Sequence, residues 1–491
     1  MKKIKLFVLA LVVLFLILTI IVLVRTYSLS KSTVTTSDAS VDFIDIDKTA
    51  ASINLAKAVR FKTVTEQVRD DTDWQEFEKF QAWMRETYPA FYDAVKTETI
   101  ADHALYHTWE GSDPSLDPIV FMAHQDVVPA SEDPNSGWEF PPFGGDIIDG
   151  FVYGRGTIDC KGTLIGLMEA ANRLAASGYQ PKRKLIFSFG HDEEISGSGA
   201  KTAAELMKSR GIKPYAVIDE GGAIITGLNG IEKPIAMIGV AEKGYLTLVL
   251  TAKARGGHSS TPPTYTAIGA LSKAIAIIEA NPFDSGMDKV TKKMLQAMAT
   301  EQDFKTRMAM ANLWLFRPMV EKKMKSQDQS RAMLGTTIAP TIIDAGFKEN
   351  ALPREAKAYV NFRLHSRDSV ASVMDRVRRL IDDPNIEIVK ADGIGSEPSP
   401  VSQIGTGPYT WIEDVITTTF PGLLVSPNVV LGGTDSRYMA LVTNDIYRFA
   451  PYKFDTSDMA RIHGLNERMD IDVFVKGIQT YYLMLEKAGE G

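Results

Sequence analysis

Between Ile119 and Glu220 one pattern recurs three times: a short apolar run suited to a buried strand ends in a histidine or an acid, and a helical stretch separates it from the next run. The runs are Ile119-Val120-Phe121-Met122-Ala123, Leu185-Ile186-Phe187-Ser188-Phe189 and Ala216-Val217-Ile218. The helical stretches are Gly162 to Ala176, closed by Gly178, and about Ser198 to Ser209, followed by Gly211. Strand, helix, strand, helix, strand predicts an α/β fold with a doubly wound, mainly parallel sheet. In such a sheet ligands bind beyond the carboxyl ends of the strands. The tips His124-Gln125-Asp126, His191-Asp192-Glu193-Glu194 and Asp219-Glu220 should therefore converge.

The rhythm changes near Glu242. Tyr245 to Ala252 alternates like a half-buried antiparallel strand, Thr266 to Glu279 is helix-like, Thr336 to Ile343 and Ala356 to Leu364 are strand-like, and Val370 to Ile381 is again helical. These elements suggest a small α+β domain inserted into the catalytic one. The chain of 491 residues is long enough for both. The boundaries read as a first catalytic segment over 41–241, an inserted lid over 242–392, and a second catalytic segment over 393–491.

Ahead of these lie Met1-Lys2-Lys3-Ile4-Lys5 and an apolar run from Leu6 to Val24, broken only by Thr19 and followed by Arg25. The run is long enough to span a bilayer as a helix and longer than the core of a typical signal peptide, so residues 1–27 are read as an uncleaved transmembrane anchor. A cleaved signal peptide is the alternative. The lysines before the run favour a cytoplasmic N-terminus, with the bulk of the chain extracytoplasmic. Residues 28–40, rich in Ser and Thr, suit a flexible stalk.

The net charge of -7 argues against a nucleic-acid partner. With one cysteine, Cys160, any metal must be held by histidines and carboxylates. Asp159, in Gly154-Arg155-Gly156-Thr157-Ile158-Asp159-Cys160-Lys161-Gly162, stands just before a helical stretch, and its two oxygens suit a pair of cations.

Six segments together resemble the zinc exopeptidase family of aminoacylases, carboxypeptidase S and Gly-Xaa carboxypeptidases. They are His124-Gln125-Asp126-Val127-Val128-Pro129, Gly154 through Gly162, Gly190 through Glu194, Asp219-Glu220-Gly221-Gly222, Gly256-Gly257-His258-Ser259-Ser260 and Arg461-Ile462-His463-Gly464. Gly433-Thr434-Asp435-Ser436-Arg437 and Tyr447-Arg448-Phe449 add to the likeness, which is greatest with the branch of carboxypeptidase S and the N-fatty-acyl-amino-acid hydrolases. The resemblance implies two Zn²⁺ per chain. Asp159 would bridge them, His124 and Asp219 would complete one, and Glu194 and His463 the other. Glu220 could replace Asp219, which is favoured because it directly follows the strand.

The same resemblance makes Glu193 the general base acting on a water, a role that suits an acid free of metal. Asp126, two residues beyond His124 on an extended strand, would orient that imidazole. His258 would polarise the substrate carbonyl, while Asn350 and Arg363 would bind substrate, Arg363 by clamping a carboxylate. His103, His107, His191 and His365 lack such context and read as structural, and Cys160 reads as packing. The implied activity is hydrolysis of an amide or peptide bond beside a free carboxylate, of the carboxypeptidase or dipeptidase type. An N-acyl-amino-acid hydrolase/synthase of the aminoacylase type is the alternative, and an inactive receptor on the same fold a remote one. Some family members pair through the inserted domain, which makes a homodimer through the lid a further expectation. Met287 to Met333 holds 8 of the 19 methionines, with Trp314 and Phe316 among them, and reads as ordinary helical packing.

Overall fold

The computed structural model describes residues 2–29, 43–228 and 230–491. Its first helix, Lys2–Leu29, is long and apolar enough to cross a membrane. Ser28 and Leu29, assigned to the stalk from sequence, continue this helix; residues 30–40 of the stalk lie outside the described residues.

A ten-stranded mixed sheet organises the chain in the order Lys96–Ile100, Ala104–Trp109, Leu185–Gly190, Ile119–His124, Ala216–Asp219, Ile446–Arg448, Ile235–Glu242, Ile224–Thr226, Lys453–Asp455, with Leu424–Val430 also paired to Ile235–Glu242. Its middle is parallel, from Leu185–Gly190 through Ile119–His124 and Ala216–Asp219 to Ile446–Arg448. The Ala104–Trp109 side is antiparallel.

Helices cover both faces of this sheet because strand residues alternate in direction. Phe121, Ala123, Phe187 and Phe189 join one buried cluster with the helices Lys161–Ala176 and Ile471–Glu490. Val120, Met122, Ile186 and Val217 join another with Ser198–Ser209. Both faces of the central strands are buried, which is why they read as unbroken apolar runs. Each large side chain so buried contributes about 1.5–3 kcal/mol. After Ala176, Gly178 at φ +79° supplies the left-handed turn that ends the helix.

A separate four-stranded antiparallel sheet runs Thr337–Ala345, Glu355–Leu364, Gly244–Lys253, Ile386–Ser396. One face carries Leu246, Leu248, Leu250, Val360 and Phe362 against the helices Ala267–Ala280 and Val370–Ile381, in a core of its own. Between Asn281 and Thr336 the chain forms four α-helices, Lys289–Met298, Phe304–Ala311, Leu313–Lys325 and Asp328–Ala332. Met287, Met294, Leu295, Leu313 and Met324 build a fourth, small core there.

Candidate metal centre

The parallel register sets His124 opposite Gly190, so two of the three acidic tips emerge side by side. Gly190 admits close approach from beyond: a Cβ there would stand 2.1 Å from Asp435 Oδ2. The third tip follows Ala216–Asp219, and the Asp159 loop enters from the start of Lys161–Ala176.

Asp159 links the two histidines. Its Oδ1 lies 3.0 Å from His124 Nε2, and its Oδ2 lies 3.1 Å from His463 Nε2. His124 Nε2 is also 3.1 Å from Glu220 Oε1, and His463 Nε2 is 3.2 Å from Glu194 Oε2. His463 sits at φ +58° in the turn that presents its ring.

Of the two neighbouring acids, Asp219, favoured from sequence, and Glu220, its alternative, it is Glu220 whose carboxylate faces His124. Asp219 Oδ2 accepts a hydrogen bond from the Ser436 amide at 2.8 Å, and its Oδ1 accepts one from the Glu220 amide at 2.9 Å. Successive residues at a strand end point to opposite sides, so only one of the two acids can face His124. Asp219 instead ties the Thr434–Arg437 loop to the sheet.

Asp126 is fully buried behind the cluster. Its carbonyl oxygen lies 2.9 Å from His124 Nδ1 and its Oδ1 3.3 Å from the same nitrogen, while its carboxylate accepts the amides of Glu193 at 3.2 Å and Glu194 at 3.1 Å. One carboxylate thus touches a histidine of the cluster and the backbone of two glutamates. Glu193 Oε1 lies 3.5 Å from Arg437 Nη1.

Burial raises Glu220 to about 7, with the charge of Asp159 adding to the effect. Burial also pushes Glu193 well above the usual carboxylate range, reinforced by Asp435 and Glu220, and raises Glu194. His463 rises to about 10 through its hydrogen bonds to Asp159 and Glu194. Burial disfavours a charged His124, yet Cys160, Glu220, Asp126 and Asp159 together hold it well above the usual histidine value. In a site so rich in carboxylates, protons do the balancing that cations would otherwise do. Glu194 Oε1 is buried with no hydrogen-bond partner among the described residues. Imidazole and carboxylate donors in this arrangement fit zinc.

Sequence reasoning missed Glu467. This fully buried acid accepts the backbone amides of Gly156 at 3.0 Å, Ile158 at 2.8 Å and Asp159 at 3.2 Å, and pairs with Arg155 Nη1 at 2.6 Å. It fixes the loop that delivers Asp159. Nothing in the local sequence separates it from a solvated loop acid. Arg437, noted only as a member of a motif, sits beside Glu193 and donates to the Thr434 and Ser196 carbonyls at 2.8 and 3.1 Å. Cys160 packs fully buried in the main core, as read from sequence, and its sulfur lies within 4.8 Å of ligand atoms of His124 and Glu220.

The substrate-side residues fall in two groups. Arg363 stacks over Tyr245, its guanidinium carbon 4.6 Å from the ring centroid, and feels the charges of Arg437 and Glu193. His258 is exposed, and its Nδ1 is engaged by Ser260, 2.8 Å from the hydroxyl and 3.1 Å from the amide. Asn350 accepts the Ser259 amide at 3.1 Å, beside the short pairing of His258 with Ala351. These two residues are therefore together on the inserted unit, and among the described residues no hydrogen bond or ion pair joins His258 to the cluster.

The family model "Peptidase family M20/M25/M40" matches residues 120–487. The probable carboxypeptidase S-like 2 of Dictyostelium discoideum is 35% identical over 457 residues, covering 91% of this chain and 87% of that protein. The N-fatty-acyl-amino acid synthase/hydrolase PM20D1 of Xenopus tropicalis is 36% identical over 444 residues, covering 88% and 85%. In structure, the M20 family metallo-carboxypeptidase Sso-CP2 of Sulfolobus solfataricus superposes with a TM-score of 0.68 at 17% identity, over 91% of this chain and all of that one, a likeness of fold. With the family match spanning both flanks of the inserted unit and the full set of cluster residues, the chain belongs to peptidase family M20/M25/M40, a family of metal-dependent hydrolases.

Proposed function

We propose that this chain hydrolyses an amide or peptide bond beside a free carboxylate at a centre holding a pair of zinc ions, with Glu193 as general base. The observation that carries this reading is the Asp159 carboxylate, one oxygen facing His124 and the other His463. Asp159, His124 and Glu220 would hold one ion, and Asp159, Glu194 and His463 the other. When bound, the ions supply Lewis acidity toward the substrate carbonyl and make a water acidic enough to attack at neutral pH.

The remaining roles belong to the chain. Asp126 fixes the His124 ring and, through the Glu193 and Glu194 amides, the backbone of both acids. Glu193 takes a proton from the attacking water and returns it to the leaving nitrogen. Arg363 would clamp the substrate carboxylate, a reading supported by the charge of Glu193 that it senses from the cluster. We read 242–392 as a lid over the catalytic segments 41–241 and 393–491, and its closure would bring His258 and Asn350 to the substrate.

The relatives named as carboxypeptidase S-like and as N-fatty-acyl-amino acid synthase/hydrolase support two substrate classes with one shared feature, the free carboxylate. We take peptides as the first and N-acyl amino acids as the second. We also read the first helix as an uncleaved single-pass anchor, because most of its apolar side chains are exposed, and its N-terminus as cytoplasmic, because Lys2, Lys3 and Lys5 precede the apolar run. The lid's edge strand Thr337–Ala345 exposes Ile342 and Ile343, which supports pairing of two chains through the lid.

The deciding experiment is a hydrolysis panel on the zinc-loaded full chain, comparing dipeptides with short- and long-chain N-acyl amino acids, each with a free and an amidated carboxyl end. Activity is expected to be high on free carboxylates and low on amidated ends, lost on chelation and restored by zinc. Uniform inactivity across the panel would remove the proposal.

A further inference from the structure

The helix Phe304–Ala311 packs directly against the apolar N-terminal helix, and Leu313–Lys325 follows it after Asn312. Asn312, fully buried between them, donates its Nδ2 to the Val22 carbonyl at 3.2 Å and to Thr26 Oγ1 at 3.1 Å, and Tyr27 meets Phe304 with ring centroids 6.0 Å apart. Farther up, an apolar groove separates Phe15, Leu18 and Leu23 from Met308, Leu315 and Phe316. The two helices thus stand level with the second half of the apolar run, with direct contact at Val22, Thr26 and Tyr27.

The length of that run makes this placement consequential. At about 1.5 Å per residue, Leu6 to Val24 spans about 28 Å, close to the ~30 Å hydrocarbon thickness of a bilayer. If the helix crosses the membrane, the whole run is needed, and whatever packs on Phe15 to Leu23 lies at the depth of the leaflet nearer the globular body. The surface of Leu313–Lys325 suits that depth. Trp314, Leu315 and Met319 are 51%, 46% and 57% exposed, an unusual concentration of large apolar side chains on one short helix. They fall in two i, i+4 rows, Trp314-Pro318-Lys322 and Leu315-Met319-Lys323, each apolar at its start and ending in an exposed lysine. Trp and Met followed by Lys along one face is the order of an interfacial helix, apolar toward the acyl chains and basic toward the headgroups.

We propose that these two helices form a lipid-docking wedge beside the anchor, with Trp314, Leu315 and Met319 in the acyl region and Lys322 and Lys323 at anionic headgroups. The inference rests on the anchor reading given above. It adds a second, independent membrane contact and a fixed attitude of the catalytic body. The wedge shares its core with Met237 of the main sheet, and the neighbouring Lys289–Met298 belongs to the same cluster, so the body cannot swing freely about the anchor. A site held against a bilayer draws on amphiphilic substrates dissolved in it.

The test uses the full chain reconstituted in vesicles of phosphatidylcholine and phosphatidylglycerol, with bromine on some of the phosphatidylcholine acyl chains. A polarity-sensitive fluorophore is attached at Met319→Cys, at Leu9→Cys in the anchor, or at Val389→Cys on the exposed outer sheet, with the unsubstituted chain, whose Cys160 is buried, carried through the same labelling as the blank. The Met319 label should be quenched by bromolipid to an extent comparable with the Leu9 label and shifted to the blue, while the Val389 label stays unquenched. Lys322→Glu combined with Lys323→Glu should reduce quenching at Met319 but not at Leu9. Quenching at Leu9 alone would overturn the wedge and leave the anchor standing. Quenching at neither would overturn the anchor reading and the wedge with it. Intrinsic fluorescence gives a second measurement: the bromolipid-quenchable share of tryptophan emission should fall in Trp314→Phe, and an unchanged share would count against the wedge.

Discussion

The Asp219 carboxylate accepts the Ser436 amide at 2.8 Å, and this bond turns it away from His124, leaving Glu220 to meet the imidazole at 3.1 Å. Glu220→Gln should therefore lose metal affinity by more than the ~10–100-fold that removal of a supporting residue costs. Asp219→Asn, which keeps an acceptor for Ser436, should hold its full metal content and lose about 1 kcal/mol of stability. Metal analysis with zinc titration into the metal-free proteins separates the two. Metal loss in Asp219→Asn with retention in Glu220→Gln would reverse the assignment.

Glu193 touches no histidine of the cluster and lies beside Arg437. Glu193→Ala should retain zinc while turnover falls by about 10²–10⁴-fold, the usual contribution of a general base. Kinetics paired with metal analysis on one preparation decides the point.

Glu467 pairs with the buried Arg155 and holds three amides of the loop carrying Asp159. Glu467→Ala leaves that guanidinium uncompensated and should cost about 3–5 kcal/mol in denaturant unfolding. Zinc binding should weaken as well, by about 10–100-fold, because the loop loses its support. Wild-type stability in this variant would show that the pair contributes nothing.

Arg363→Ala should lower kcat/KM for substrates with a free carboxylate by about 10–100-fold, the equivalent of one charge-assisted contact of about 1.5–3 kcal/mol. The same substitution should leave the low rate on amidated substrates unchanged. A matched loss on both would make Arg363 a structural residue.

His107 is buried among Phe91, Tyr92 and Phe189, and burial lowers it from an ordinary 6.5 to about 3. Its folded value lies below its unfolded one, so between pH 6.5 and 3 the unfolded chain binds the extra proton. Stability is fully present above the unfolded value and declines by about 1.4 kcal/mol per pH unit on acidification through that window. Unfolding curves from about pH 7 to about pH 5 should be steeper in pH for the wild type than for His107→Phe.

What the chain determines locally is legible in its sequence. The apolar runs at 119–123, 185–189 and 216–218 become central strands because both of their faces are buried, and alternation between Tyr245 and Ala252 becomes an antiparallel strand whose leucine face enters the core while Thr247 and Thr251 are buried on the other. The helices Ser198–Ser209 and Val370–Ile381 end where their patterns end. His124 closes a strand, Glu220 follows one and Asp159 stands just before a helix, positions that the pattern of the sequence marks, whereas His463 lies in a turn that only the family resemblance singles out.

Orientation about the strand axis is not local. Asp219 and Glu220 are neighbours of similar chemistry, and only the Ser436 amide, brought from more than two hundred residues away, selects which of them faces His124. Glu467 acquires its role from amides on a loop far upstream. The methionine-rich stretch is helical packing on its inner side, but only the fold sets its outer side against the first helix, through Asn312. Periodicity reports which face of an element is apolar; what that face meets is decided by long-range contacts that one sequence does not contain.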